Sequence, residues 1–553
     1  MAETTRSVRA LPPWKATANY HGYFLQRQSW QDITIHDRGP PPIISNDDEG
    51  PPILEDEVRK AISKMKKGKA AGPDDIPIEL IQAMGDTGIK AVTHLLNAIH
   101  ATGSVPAELE KSVYIALPKK TGTVECDQHR TISLMSHLTK VLIRVLMDRM
   151  RNRILPEISE TQFGFMADKG TRNAIFALRT VMERAIEVQK DLYLCFIDYS
   201  KAFDKVRHSD LFEILQAINC DGKDLRVIRN IYWEQEAAIR VDGECSEYRP
   251  ICRGVRQGCV LSPDLFNIYS EIILRNIEDH EGIKVGGLNI NNLRYADDTV
   301  LIADSVEKLQ NILTTVARES ENKGLQLNAK KTECMAISKQ KDKPICSISC
   351  KGEQIKQVET FKYLGFTITP DARCDVEIRK RIAMSKDTFS KMKSVFTNRN
   401  IGLGTKMRAL KAYVWSTLLY GSECWTLTKE SESRLEAAEM WYIRRILKIS
   451  WTERKTNEEV MEMAGYTRSL LKVIRHRQLK FFGHIIRSDR LEKQLLCGKI
   501  EGVKSRGRQR TEYADSLSSF VTGTKSAIQL IRRSADRDGW KAMIADVCNR
   551  PGT

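Results

Sequence analysis

An apolar strand that ends in one aspartate, Tyr193-Leu194-Cys195-Phe196-Ile197-Asp198, constrains this chain together with a later pair of apolar runs joined at Tyr295-Ala296-Asp297-Asp298. The later runs are Leu293 to Tyr295 and Thr299 to Ala303. Only a short polar step separates them, so a tight hairpin is expected with its carboxylates at the tip. The run before Asp198 is apolar throughout, which puts a sheet behind the aspartate and solvent in front. If the strands are neighbours, three carboxylates converge at one end of one sheet. Hard oxygen ligands of this kind suit Mg²⁺, which keeps some waters and accepts phosphate oxygens as further ligands. A pair of such ions catalyses in-line displacement at phosphorus. An isolated Asp-Asp is ordinarily a solvated or capped turn, so its companions in the chain decide the matter.

Helical periodicity frames these strands. Leu54 to Lys67 carries Leu54, Val58, Ile62 and Met65 on one stripe, and Ser136 to Arg153 repeats Leu138, Val141, Leu142, Val145, Leu146 and Met150. Ser305 is placed to cap a helix whose apolar face is Leu309, Ile312, Leu313 and Val316, with Gly324 to end it. Short strands are expected at Ile283 to Val285, Cys334 to Ile337 and Phe361 to Ile368. From about Val376 the chain reads as mostly helical, and 430–448 shows Leu435, Ala438, Trp441, Tyr442 and Ile446 on one side. There are no internal repeats. This order suits an α+β fold, with helices segregated to one face of an antiparallel sheet.

The chain has 553 residues, enough for several domains at roughly 100–200 residues each. Lys and Arg number 87 against 71 Asp and Glu, a formal net charge of +16 that favours a polyanionic partner. The 13 cysteines are scattered without a disulfide framework, which suits a reducing compartment. Cys346 and Cys350 lie close, yet no second pair follows at zinc-finger spacing. No signal peptide opens the chain, and no run approaches the roughly 18–20 apolar residues that span a bilayer. Residues 1–52 read as a flexible tail or linker, punctuated by Gly39-Pro40-Pro41-Pro42 and Gly50-Pro51-Pro52.

Five segments in order give the aspartates their context. They are Phe196-Ile197-Asp198-Tyr199-Ser200-Lys201-Ala202-Phe203-Asp204; Gly254-Val255-Arg256-Gln257-Gly258-Cys259 with Leu261-Ser262-Pro263; Tyr295-Ala296-Asp297-Asp298; Gly324-Leu325-Gln326-Leu327-Asn328 with Lys331-Thr332; and Phe361-Lys362-Tyr363-Leu364-Gly365. The set resembles the palm motifs of reverse transcriptases of the non-LTR (LINE-type) retrotransposon family. Upstream, Gly68-Lys69-Ala70-Ala71-Gly72-Pro73-Asp74, Leu117-Pro118-Lys119-Lys120, His129-Arg130-Thr131 and Gln162-Phe163-Gly164-Phe165 resemble the segments that family carries before and within its fingers. The resemblance covers 53–370 most strongly. Leu419-Tyr420-Gly421-Ser422-Glu423 through Gly483-His484 is similar to the C-terminal part of such elements.

The resemblance implies a right-hand polymerase: a tail over 1–52, an N-terminal extension and fingers over 53–190, a palm over 191–370, and a helical thumb with a basic region over 371–553. It implies that Asp198, Asp297 and Asp298 hold two Mg²⁺ ions, with Mn²⁺ as an alternative, and that Lys331 protonates or neutralises the leaving pyrophosphate. Lys119 or Lys120 and Arg130 would clamp the triphosphate. Phe203 would exclude a 2′-hydroxyl; the competing reading is a core phenylalanine. Gln257 and Gly258 would touch the incoming nucleotide. Tyr363, Leu364 and Gly365 would hold the primer end. The implied partners are an RNA template, a DNA primer or nicked target DNA, and dNTPs, with no membrane and no indication of oligomeric state. The implied place is intracellular, in the nucleus or cytoplasm as a ribonucleoprotein.

Some positions depart from the family pattern. Ala71 stands where Pro is common, Asp75 where Gly is usual, and Thr131 where a Pro follows the fingers arginine. No metal ligand is lost. No room for an upstream endonuclease is evident, and no downstream Cys/His-rich module either. A catalytically dead or domesticated RNA-binding derivative is the alternative reading, and a splicing maturase a third. In the C-terminal part, Arg475-His476-Arg477-Gln478-Leu479-Lys480-Phe481-Phe482 mixes cations with rings. It suits either single-stranded nucleic acid or an amphipathic helix with snorkelling cations. Lys504 to Arg510 is a basic run that suits nucleic acid, a solvated loop or an import signal.

Overall fold

The computed structural model describes residues 40–44, 49–120, 123, 128–241, 243–467, 469–504, 510–521, 524 and 526–549. Most of the expected 1–52 tail, and 505–509 of the basic run, lie outside the described residues. Along the chain the strands are β1 (Lys111–Pro118), β2 (His129–Met135), β3 (Leu192–Ile197), β4 (Glu236–Val241), β5 (Glu244–Cys245), β6 (Arg249–Pro250), β7 (Ile283–Val285) and β8 (Leu288–Ile290). They continue as β9 (Asn292–Tyr295), β10 (Asp298–Ala303), β11 (Glu333–Ile337), β12 (Ser349–Cys350), β13 (Glu353–Gln354), β14 (Lys356–Gln357), β15 (Phe361–Tyr363) and β16 (Phe366–Ile368). The chain folds as two compact units. One takes in Met1–Ser159, Tyr199–Asn276 and Arg318–Gln326, the other Glu160–Asp198, Ile277–Ala317 and Leu327–Thr553.

The first unit is built on a sheet of order β2-β1-β4-β5, with β6 also on β4. β1 and β2 form an antiparallel hairpin, while β1 and β4 run parallel. Helix His137–Ile154 buries Val141, Leu142, Val145, Leu146 and Met150, the stripe read from the sequence. Its N-cap is Ser136, whose hydroxyl accepts from Leu138 N and donates to Asp74 Oδ2 at 2.6 Å. Gly72 lies so close that a Cβ there would stand 2.3 Å from Ser136 N, which explains a glycine in the segment ahead of the fingers. Asp75 takes φ +51, the left-handed region that glycine occupies freely and Asp tolerates. The first expected helix is shorter than Leu54 to Lys67: it spans Glu55–Ser63, and Leu54 is its exposed N-cap rather than part of the buried stripe.

The second unit holds a sheet of order β14-β11-β3-β10-β9. β11, β3, β10 and β9 are successively antiparallel, and β14 joins β11 in parallel, so the sheet is not wholly antiparallel. All six residues of β3 are buried, as are Val300 to Ala303. The helix Thr171–Glu187 adds Ala174, Ile175, Leu178, Val181 and Met182 to the same core. That core continues without a break into the C-terminal helices through Trp415, Leu435, Tyr442, Leu479, Phe481 and Phe482. Each large apolar side chain buried this way contributes about 1.5–3 kcal/mol relative to exposure.

The Val306–Asn322 helix follows Ser305, whose Oγ accepts from Lys308 N at 3.2 Å, and Gly324 beyond it has φ +74. The run Phe361 to Ile368 is a hairpin rather than one strand, because Leu364 and Gly365 take φ +47 and +79 and reverse the chain. The basic-aromatic stretch at 475–482 lies in helix Leu470–Ile486, where the packing reading holds. Phe481 and Phe482 are buried, and Arg475 is buried against Glu432, so neither ring is open to a base. Among the described residues, no helix is long and apolar enough to cross a membrane.

Candidate active site

The second unit places the carboxylates by strand register. Thr299 pairs with Ile197 across β10 and β3, so one further step sets Asp298 opposite Asp198. β9 and β10 close at the Tyr295–Asp298 pair, leaving Ala296 and Asp297 as the two turn residues. Asp298 therefore opens β10 instead of sharing the turn, one residue off the sequence expectation. Ala296 carries the left-handed turn at φ +57, without glycine or asparagine to announce it.

Asp298 is exposed, while the rest of β10 behind it is buried. Its carboxyl is pushed up to about 6, first by desolvation and then by the negative charges of Asp297 and Asp198. Among the described residues, no group of three or more His, Cys, Asp or Glu side chains is placed to hold a metal ion. Mg²⁺ does not need one: it binds through one or two carboxylates and completes its shell with water and substrate phosphates. The donor chemistry and the mutual repulsion fit such an ion, because a divalent cation would relieve the repulsion that raises Asp298.

A short loop fixes Asp198 from the other side. Asn328 N donates to Asp198 O at 2.8 Å, and Asp198 N donates to Thr332 Oγ1 at 3.3 Å. The same loop closes on itself through Lys331 N and Thr332 N, both donating to Asn328 O, and it carries an exposed Lys331.

The first unit gathers the expected nucleotide-contacting residues. Lys119, Lys120 and Arg130 lie exposed at the loop end of the β1–β2 hairpin, where Leu117 pairs with Arg130. Gln257 O accepts from Ser133 N at 2.8 Å, which docks the Gln257-Gly258 turn on β2. Gly258 has φ +103, and a Cβ there would stand 3.2 Å from Ser133 O. Phe203 sits in the Ala202–Lys205 turn, half-buried, its ring stacked on Phe266 at 4.2 Å and 15°. Asp204, the next residue, accepts from Gln257 Nε2 at 3.3 Å, and burial raises its carboxyl above the ordinary value, an effect that the Lys201 charge, the Gln257 hydrogen bond and the Lys119 charge offset only in part. Sequence reasoning assigned Asp204 no role; its place directly after Phe203 was the available signal.

The β15–β16 hairpin holds Tyr363 in the core, next to Phe196, with burial raising its hydroxyl well above the usual range and Asp298 adding to the effect. Lys362 is exposed on this hairpin, and Leu364 and Gly365 are half-buried at its turn. Their turn is gripped by two residues the sequence reading did not single out as site residues. Tyr420 Oη donates to Leu364 O at 2.6 Å, and Arg381 Nη2 donates to Gly365 O. The Arg381 guanidinium also lies 4.5 Å over the Tyr420 ring.

Comparison with known proteins gives a family match and several relatives. Residues 117–368 match the family model described as reverse transcriptase (RNA-dependent DNA polymerase). The chain is 25% identical over 418 residues to the RNA-directed DNA polymerase from mobile element jockey of Drosophila melanogaster, covering 73% of this chain and 45% of that protein. It is 30% identical over 325 residues to the Pol polyprotein of the type-1 retrotransposable element R2 of Popillia japonica, covering 57% and 44%. The chain thus spans less than half the length of these curated relatives. Among solved structures, telomerase from Candida albicans bound to a fragment of telomeric RNA aligns at a TM-score of 0.36 and 12% identity, over 71% of this chain and 69% of that one.

Proposed function

We propose that this chain, a reverse transcriptase of the non-LTR retrotransposon kind, is an RNA-directed DNA polymerase that extends a primer 3′-hydroxyl on an RNA template. The observation that carries the reading is the convergence of Asp198, Asp297 and Asp298 at one end of the β3–β10–β9 sheet, with the Asp298 carboxyl raised first by desolvation and then by the charges of the other two. Two Mg²⁺ ions held by these carboxylates, or Mn²⁺ in their place, would supply charge neutralisation at the reacting phosphate and its flanking oxygens.

The protein's own groups do the rest by positioning. Lys119, Lys120 and Arg130 bind the triphosphate as fixed cations. Gln257 and Gly258 line the nucleotide, the first with an amide and the second with exposed backbone. The Phe203 ring occupies the volume a 2′-hydroxyl would need, so deoxynucleotides are selected. Lys331 stands ready with a proton or a positive charge for departing pyrophosphate. Leu364 and Gly365 bear on the primer end, their turn stiffened by Tyr420 and Arg381. In this reading, 53–190 supply the extension and fingers, 191–370 the palm, and 371–553 the thumb and basic region. The partners are retroelement RNA, a DNA primer or nicked target DNA, and dNTPs. A net charge of +16 supports polyanionic partners. Copying onto genomic DNA places the work inside the cell, with access to the nucleus as a ribonucleoprotein.

The test is extension of a labelled primer on RNA, with template binding measured in parallel, for wild type and Asp297→Asn. The reading expects extension by wild type alone and equal RNA binding by both. RNA binding without extension by a folded wild type would point to a non-catalytic binding role.

A further inference from the structure

A two-residue turn that carries Asp297 and leads straight into Asp298 needs something to hold it at a fixed angle, and β9 is the edge strand of its sheet. The chain supplies the support from Thr161 to Gly164. Arg294 N donates to Thr161 O at 2.9 Å and Phe163 N donates to Arg294 O at 2.8 Å. Gln162 and Arg294 form a parallel bridge, so this segment acts as a short extra strand along β9. Thr161 Oγ1 adds a hydrogen bond to Asn292 Oδ1 at 3.1 Å.

The side chain of Gln162 is fully buried and turned toward the hairpin tip. Its Oε1 accepts from Ala296 N at 3.0 Å and from Gly164 N at 2.8 Å. Ala296 is buried and left-handed, so the sheet ladder offers its N–H no partner; the Gln162 carbonyl takes that place. Gly164 allows the approach: a Cβ there would stand 2.3 Å from Ala296 N. One amide oxygen therefore ties together the backbone of the supporting segment and the residue immediately before Asp297.

We infer that Gln162 is a positioning residue for the catalytic turn, acting through Ala296 N to set the direction in which Asp297 and Asp298 present their carboxylates. The inference rests on the proposed polymerase function for its kinetic consequence, while its structural content stands on the wild-type protein alone. Loss of the acceptor frees the turn and widens the spread of carboxylate geometries. The penalty then falls on metal engagement and on the chemical step. It spares nucleotide affinity, which belongs to other residues, and template binding.

The experiment uses the full chain with a primed RNA template. Gln162→Met keeps the volume and removes the acceptor; Gly164→Ala keeps the acceptor and forces the segment off Ala296 N. For each folded variant, kcat, KM for dNTP and the Mg²⁺ concentration for half-maximal rate are measured. Supporting partners of metal ligands are typically worth about 10–100-fold when removed. Both variants are expected to lose about tenfold or more in kcat and to need more Mg²⁺, with KM for dNTP and RNA binding unchanged. Unchanged kcat and Mg²⁺ requirement in folded variants overturns the inference, as does a loss confined to KM. Amide hydrogen exchange at Ala296 in the wild type decides the matter if the variants do not fold or the wild type does not extend. Strong protection, unusual for a turn residue, supports the tie; exchange at the rate of an open turn overturns it. An inactive wild type with a protected Ala296 amide counts against the polymerase reading and leaves the Gln162 contact standing.

Discussion

Thr332 holds the backbone of Asp198: its hydroxyl accepts the Asp198 amide at 3.3 Å, while Asn328 N from the same loop donates to Asp198 O at 2.8 Å. The aspartate that ends β3 is thus fixed on both sides of its peptide by one turn, and the same turn carries Lys331. Thr332→Val keeps the shape and removes the acceptor. A lost hydrogen bond of this kind is worth about 0.5–1.5 kcal/mol, or roughly two- to tenfold. The expected result is a fall in kcat of that size with unchanged RNA binding, read by steady-state primer extension.

Asp298 sets a pH dependence. Its folded pKa of about 6 lies above the ordinary carboxyl value of 3.8. A raised carboxyl favours the folded state below its unfolded value, and that benefit fades as pH rises through the folded value. In metal-free protein above pH 6, the ionised Asp298 is therefore destabilising. Asp298→Asn is expected to raise the melting temperature at pH 7–8 without metal, while abolishing extension. For wild type, extension should decline as pH falls through about 6, and raising Mg²⁺ should move that decline to lower pH. Thermal melts and a pH–rate series at two Mg²⁺ concentrations check both signs.

The Phe203 ring stacks on Phe266 in the Ala202–Lys205 turn, so it is held rather than loose. Phe203→Ala should admit ribonucleotides, seen as a rise of about tenfold or more in the rNTP-to-dNTP efficiency ratio, within the range a well-formed pocket contact commands. It should also lose about 0.5–1.5 kcal/mol of stacking. An unchanged ratio with reduced stability would assign the ring to packing.

Tyr420→Phe removes the hydrogen bond to Leu364 O and leaves the ring beneath Arg381. The turn at Leu364-Gly365 carries a bulky residue at φ +47, a conformation that persists only when its surroundings enforce it. Weaker primer engagement is expected: a several-fold higher KM for primed template, shorter products per binding event, and unchanged KM for dNTP. Product lengths under a single-encounter trap read this directly.

Much of the fold was legible because its signals are local. The apolar run to Ile197, the alternation at 293–303 and the stripes at 136–153 and 305–322 depend on near neighbours, and they appear where expected. The turn was misjudged by one residue because Ala296 adopts a left-handed conformation that Gly or Asn would have announced. At 361–368, Gly365 marks the reversal, and the strands on either side of it are only three residues long. Long-range ties left no trace in any period: Gln162 reaches Ala296 across 134 residues, and Tyr420 reaches Leu364 across 56. Phe481 and Phe482 sat among cations that suggested a nucleic-acid surface, yet helix Leu470–Ile486 turns them into the core.

The most direct test of the account is single-turnover extension of a primer on an RNA template, with dNTPs and Mg²⁺, by wild type and Asp198→Ala at matched RNA occupancy. The account predicts template-directed DNA synthesis by wild type and none by the variant. Synthesis by Asp198→Ala at a comparable rate would contradict the assignment of chemistry to the β3–β10 carboxylates.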